Sequence, residues 1–126
     1  MSLSVLVVED DPLTRLTIVS MLEALKYRVV DVRDADTALS VLQGVWFDIM
    51  VASLKDDAPD EKRVVWEAKA LQSHIKVVVV SGAYLEPSLH PSVDAFVLKP
   101  FSLDQIDAAI KSVRAELESK EPGLLQ

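Results

Sequence analysis

Cysteine is absent from this chain, which rules out disulfides and thiolate metal sites; a cysteine-free chain fits the cytosol without requiring it. Glycine is scarce. Gly44, Gly82 and Gly123 are too few and too scattered to make a G-x-G-x-x-G turn or a P-loop. Basic residues are outnumbered, 13 Lys and Arg against 20 Asp and Glu for a formal charge of −7, with a pI near 4.7. That balance argues against attraction to nucleic acid or anionic lipid and points to proteins or cations as partners. No apolar run reaches the roughly 18 residues of a membrane helix, and the amino terminus lacks a basic start followed by a long apolar segment. The expectation is a cytoplasmic chain with neither membrane nor nucleic-acid contact. Internal repeats and low-complexity tracts are also missing. What is there is 126 residues, 50% hydrophobic, enough for one domain with a real core and too few for two. The domain is expected over residues 1–120, with 121–126 frayed.

The chain is organised around Phe47-Asp48-Ile49-Met50-Val51-Ala52-Ser53-Leu54. This mostly apolar run suits a central parallel strand covered on both faces, with Ser53 at its carboxyl end. Before it, Leu3 to Val8 reads as a strand, and Asp11 caps a helix that Pro12 opens. Leu13, Leu16, Val19, Leu22 and Leu25 supply that helix's apolar stripe. Tyr27 to Val32 is a second strand. Asp34 caps a short helix whose Ala38, Leu39 and Leu42 face inward, and Gly44 offers the left-handed conformation that ends it.

After the central strand, Pro59, Asp60 and Glu61 open a third helix with Val64, Ala68 and Leu71 inward. Ile75 to Val80 is the clearest strand of all, closed by Ser81-Gly82. Pro87 and Pro91 interrupt any long helix between Ala83 and Val93. Ala95 to Leu98 makes the fifth strand. Ser102 and Gln105 form a capping box for a last helix with Ile106, Ile110, Val113 and Leu117 inward. Strands alternating with helices imply an α/β fold, a doubly wound five-stranded parallel sheet of flavodoxin-like, three-layer type with right-handed crossovers.

In such a sheet the ends of strands one, three, four and five share a pole, which gathers Glu9, Asp10, Ser53, Ser81 and Lys99. Open α/β sheets place their sites there. Two carboxylates, two hydroxyls and an ammonium describe a hard-cation and phosphoryl site. Here the chain resembles the receiver domain of bacterial response regulators, the CheY-like fold, over Val5 to Leu117. The resemblance is carried by Val7-Val8-Glu9-Asp10-Asp11-Pro12, Ala38-Leu39, Asp48-Ile49, Val80-Ser81-Gly82-Ala83 and Phe96-Val97-Leu98-Lys99-Pro100-Phe101. It implies that Glu9 and Asp10 match the Mg²⁺-binding acids and Ser81 the hydroxyl that contacts the phosphoryl group. It further implies that Lys99 is the counter-charge and Phe96 the switch aromatic, and it suggests a cis peptide before Pro100, where the residues alone give trans.

The departure is at Ser53. Five residues after Asp48 the family has an aspartate that serves as nucleophile and metal ligand, whereas a serine hydroxyl is not ionised and has no His or other base evident beside it. Asp48 itself lies about 16 Å back along the strand at roughly 3.3 Å per residue, out of reach. Asp56 or Asp57 could stand in only if the loop folds back. A second departure is the Pro-bearing stretch. Ser81 and Lys99 stand 18 positions apart, fewer than usual, so the fourth helix is expected to be shortened or absent, which puts the usual output face in doubt.

Plainer readings exist for each residue. Asp11 is a cap. Ser53 can pack quietly, Ser81 can bond backbone, and Lys99 can form a structural ion pair with Glu9 and Asp10. Phe96, Trp46 and Trp66 read as packing residues, although an exposed aromatic on the third helix would suggest a partner surface; His74 and His90 read as surface loop residues. The leading reading is a pseudo-receiver in two-component signalling, not an enzyme, that binds protein partners without phosphorylation. Those partners would be a sensor kinase or a downstream signalling protein, with a homodimer also allowed. No cofactor is expected beyond weak Mg²⁺ at Glu9 and Asp10. The alternative is a phosphorelay receiver that uses Asp56 or Asp57. A small flavodoxin-like flavin or nucleotide binder is disfavoured, because Glu9, Asp10 and Asp11 would repel phosphate at the first strand-to-helix turn.

Overall fold

The computed structural model describes residues 2–55, 59–82 and 91–119. Five strands, β1 (Ser4–Val8), β2 (Arg28–Val32), β3 (Ile49–Leu54), β4 (Lys76–Ser81) and β5 (Ala95–Leu98), form one parallel sheet in the order β2-β1-β3-β4-β5. The β-branched runs make β3 and β4 fully buried strands, as a sheet covered on both faces demands. Alternation then divides the core. Val5, Val7, Ile49, Val51, Val78, Val80 and Val97 pack on helices α1 (Pro12–Ala24) and α4 (Leu103–Ser119). Leu6, Val8, Met50, Ala52, Val77 and Val79 pack on α2 (Ala35–Leu42) and α3 (Pro59–Leu71). Among the described residues no α-helix lies between β4 and β5. The expected shortening of a helix there falls on 83–90, and the expected fraying on 121–126; both stretches lie outside the described residues.

Local signals place the ends. Asp11 accepts the Thr14 N–H at 2.8 Å and Asp34 the Thr37 N–H at 2.8 Å, which satisfies amide donors the first turn leaves over. Ser102 and Gln105 bond reciprocally at 2.7 and 3.2 Å, the capping box expected. The left-handed turn, by contrast, is not at Gly44. Helix α2 ends through Gln43 in ordinary right-handed conformation, and no described glycine has positive φ. The left-handed residue is Lys26, at φ 73°. It donates to Glu23 O at 2.9 Å while the Tyr27 N–H donates to Leu22 O at 3.2 Å; this pairing closes a helix in a Schellman motif, with Tyr27 and Leu22 sharing a core cluster.

Two inward faces differ from expectation. Leu13 is 73% exposed and Leu16 61%, while Ile18 and Leu22 are fully buried. The reason is geometric: a run spaced by three falls about 60° short of each full turn, so Leu13 and Leu22, nine positions apart, point to opposite sides. On α3, Val64 and Ala68 are buried but Leu71 is exposed, and Gln72 takes the inward place. Its side-chain amide donates to Leu42 O at 2.8 Å and Val45 O at 2.6 Å and accepts the Phe47 N–H at 3.1 Å. These bonds fix the connection into β3 and leave the buried amide satisfied.

At the amino-terminal pole of the sheet Asp48 accepts from Ser4 N at 2.9 Å and Ser4 Oγ at 3.2 Å, far from Ser53 as the strand length requires. Asp94 accepts the Val77 N–H at 2.8 Å and pairs with Lys69 at 2.7 Å. Lys76 lies 3.9 Å from the same carboxyl and 3.1 Å from Glu116. This ionic group, in which Lys76 alone is buried, ties α3, β4, α4 and the entry to β5 together.

Candidate functional site

Parallel pairing sets the site's geometry. Val8 stands opposite Ala52 and Ser53 opposite Val80, so Glu9, the next residue of its chain, comes level with Ser53. Glu9 and Ser53 are both buried, at 3% and 6% exposure. The Ser53 hydroxyl donates to Glu9 Oε1. Lys99 Nζ reaches the same oxygen at 3.4 Å, and the Asp11 N–H donates to Oε2 at 2.9 Å. Glu9 is held from behind as well: Arg15 donates to its carbonyl at 2.8 Å and to Asp31 at 3.1 Å. Thus the ends of β1 and β3, the start of α1 and the residue after β5 meet on one buried carboxylate.

Asp10 points outward and accepts from Lys55 Nζ. That hydrogen bond is the main cause that holds the Asp10 carboxyl below its ordinary value, against an opposing effect of burial. Ser81 closes β4 level with Leu54 and Leu98, and its carbonyl accepts the Lys99 N–H at 2.8 Å. The Lys99–Pro100 peptide is cis. The structure therefore brings Glu9, Ser53 and Lys99 into contact and sets Asp10 and Ser81 at the same sheet edge. Asp56 and Asp57, and likewise His90, lie outside the described residues.

Four expectations need correction. A base does stand beside Ser53, because Glu9 takes its proton-donating bond; β1–β3 adjacency, not sequence spacing, puts it there. Lys55, unconsidered in the sequence, supplies a second ammonium, so Glu9 and Asp10 each face a lysine. Only the strand register reveals it: with Glu9 level with Ser53, Asp10 comes level with Leu54, and the next residue is Lys55. The aromatics are packed only in part. Trp46 is 72% exposed and stacks on His74 with ring centroids 4.3 Å apart, Trp66 on α3 is half-exposed, and Phe96 on the edge strand is 36% exposed. His74 is more than a loop residue, since its Nε2 lies 3.0 Å from Phe47 O.

Beside the site, Thr14, Thr17, Met21, Lys99, Pro100 and Phe101 line a groove of about 390 Å³. The exposed Leu13 and Leu16 lie on the same helix. Among the described residues no helix is long and apolar enough to cross a membrane.

The family model of the response regulator receiver domain matches residues 5–111. A CheY-like response regulator receiver domain protein from Methanospirillum hungatei JF-1 is similar at 22% identity and TM-score 0.86, over 96% of this chain and 100% of that one. A response regulator protein of Thermotoga maritima, solved in complex with Mg(2+)-BeF, gives 19% identity and TM-score 0.79 over 90% of this chain and 99% of its own. The receiver domain of a sensor histidine kinase from Pseudomonas aeruginosa PAO1, with a magnesium ion coordinated in its active site cleft, gives 20% identity and TM-score 0.76 over 88% and 96%. Curated protein sequences provide no match.

Proposed function

The chain belongs to the response regulator receiver domain family, and from that premise we propose that it is a pseudo-receiver in two-component signalling, one that binds protein partners without being phosphorylated at residue 53. The observation that carries this reading is Ser53 at the carboxyl end of β3, hydrogen-bonded to Glu9. Transfer from a phosphohistidine needs a carboxylate there, and an alcohol offers neither its charge nor its metal ligation. Glu9 is a poor candidate for activating the alcohol. Its oxygens already serve Ser53, Lys99 and the Asp11 amide, and it holds the sheet edge together.

The Mg²⁺ that the family implies does not fit the residues as they stand. Glu9 is filled by three donors, Asp10 is paired with Lys55, and among the described residues no group of three or more acids or imidazoles is placed to hold a metal. No chemistry is therefore assigned to a metal, and the domain is read as a binding module, not an enzyme. Support for a protein partner comes from apolar surface on α1, where Leu13 and Leu16 are exposed, and from the groove that Thr14, Thr17 and Met21 of the same helix line together with Lys99, Pro100 and Phe101. Neighbouring exposed apolar side chains of this kind mark an interaction surface.

Incubation with acetyl phosphate and Mg²⁺, followed by intact-mass measurement, tests the reading. No hydroxylamine-labile phosphoryl group is expected. Its appearance overturns the proposal, and peptide mapping to Asp56 or Asp57 would establish a working phosphorelay receiver in its place.

A further inference from the structure

We infer that Lys55 is the residue that excludes a divalent cation from this sheet edge, its ammonium on Asp10 acting with Lys99 on Glu9 as a built-in replacement for the metal. The inference rests on the receiver reading above and deepens it. Of the two acids, Glu9 is the sealed one: buried, with Oε1 bound to Ser53 and Lys99 and Oε2 to a backbone amide. Asp10 is the one that an arriving ion would meet first, and Lys55 holds it.

Mg²⁺ and Mn²⁺ bind through carboxylate oxygens, and Mg²⁺ sheds its hydration reluctantly. To enter here, such an ion must release Asp10 from Lys55 and then share Glu9 with an ammonium already 3.4 Å away. Lys55 is the first residue beyond β3. Tethered so closely, it stays at high effective concentration beside Asp10, whatever the ion content of the solution. A divalent ion that displaced neither ammonium would lie beside both of them and be repelled by each.

Mn²⁺ binding to the full chain, followed by water-proton relaxation enhancement, provides the test, with Mn²⁺ alone as the probe and no phosphodonor. Removing the Lys55 charge while keeping its bulk, Lys55→Met, is expected to tighten Mn²⁺ binding by at least about tenfold, equivalent to about 1.4 kcal/mol. Lys55→Gln, a second neutral variant, should do the same, whereas Lys55→Arg should behave as the native chain. Adding Asp10→Asn to Lys55→Met should abolish the gain. A smaller gain in both neutral variants, an equal gain in Lys55→Arg, or a gain that survives Asp10→Asn overturns the inference and leaves the phosphorylation-independent reading standing. That reading falls by a different result, the labile phosphate of the preceding experiment.

Discussion

Replacing Ser53 by aspartate restores the family's carboxylate in a place where this chain has built a hydrogen bond to Glu9. The substitution first removes a donor from a buried charged acceptor, a loss of about 1.5–3 kcal/mol. It then sets a second carboxylate close to Glu9. At about 4 Å that repulsion is about 1 kcal/mol in water and about 4 at an effective dielectric near 20. Lys99 and Lys55 offset part of it, so the net destabilisation in chelator is about 3 kcal/mol, or roughly 10 °C in Tm for a domain of this size. Three acids against two lysines leave an excess negative charge that a divalent ion can relieve. At Mg²⁺ a hundredfold above its Kd the recovery is about 2.7 kcal/mol. Melting curves for both proteins, in chelator and across a Mg²⁺ series at fixed ionic strength, read this directly. The native chain should respond little, and Ser53→Asn, which keeps a donor and adds no charge, should lose less stability and gain nothing from Mg²⁺. Equal Mg²⁺ responses in native and Ser53→Asp, or an unimpaired Ser53→Asp in chelator, would refute the reasoning about this site.

Lys26→Gly should stabilise the chain by about 0.5–1 kcal/mol in urea unfolding, because Lys26 holds a left-handed conformation that glycine adopts without steric cost. Leu22→Ala should cost about 2–5 kcal/mol and Leu16→Ala within about 0.5, the contrast following from full burial of one and exposure of the other. Asp94→Ala should cost about 3 kcal/mol or more, since it leaves Lys69 and the Val77 amide without their shared acceptor. The caps titrate: bonds from Thr14 and Thr37 hold the carboxyls of Asp11 and Asp34 below the ordinary 3.8. Their contribution is therefore present above that value and lost as pH falls through the lowered ones. In Asp11→Asn with Asp34→Asn, the drop in Tm below about pH 4 should be shallower than in the native chain.

Features written in a few neighbouring residues could be read before the fold was known. The Val-rich run of β4, the Asp11 and Asp34 caps and the Ser102–Gln105 box each depend on contacts within about one helical turn. The gathering of Glu9, Ser53, Ser81 and Lys99 at one pole also followed, because parallel strands alternating with helices leave only that arrangement. What escaped were choices made between elements. Gln72 outranks Leu71 for the inward place because its amide can satisfy three backbone groups of the α2–β3 connection at once. Lys55 and Arg15 have no local pattern that marks them. Their roles exist only once β1, β2 and β3 lie side by side, and a lysine in a polar loop looks the same whether it faces water or an aspartate.

The lysine pairing at the sheet edge bears on regulation as well as on binding. A ligand can shift a conformational equilibrium only by the difference in its affinity for the two states. In a receiver with a free carboxylate nest, metal and phosphoryl group provide that difference because charge accumulates and is then neutralised. Here the neutralising groups belong to the chain: Lys99 and Lys55 pair with Glu9 and Asp10, and Ser53 offers a phosphodonor no carboxylate to modify. On the pseudo-receiver reading, the sheet edge therefore has little coupling free energy to send outward. Differential affinity must instead come from contacts made by a partner. The exposed side chains of α1, α3 and β5, namely Leu13, Leu16, Trp66 and Phe96, are where such contacts can act. A substitution there should alter partner binding without altering the melting temperature, whereas one at Glu9 should alter stability first and binding only as a consequence.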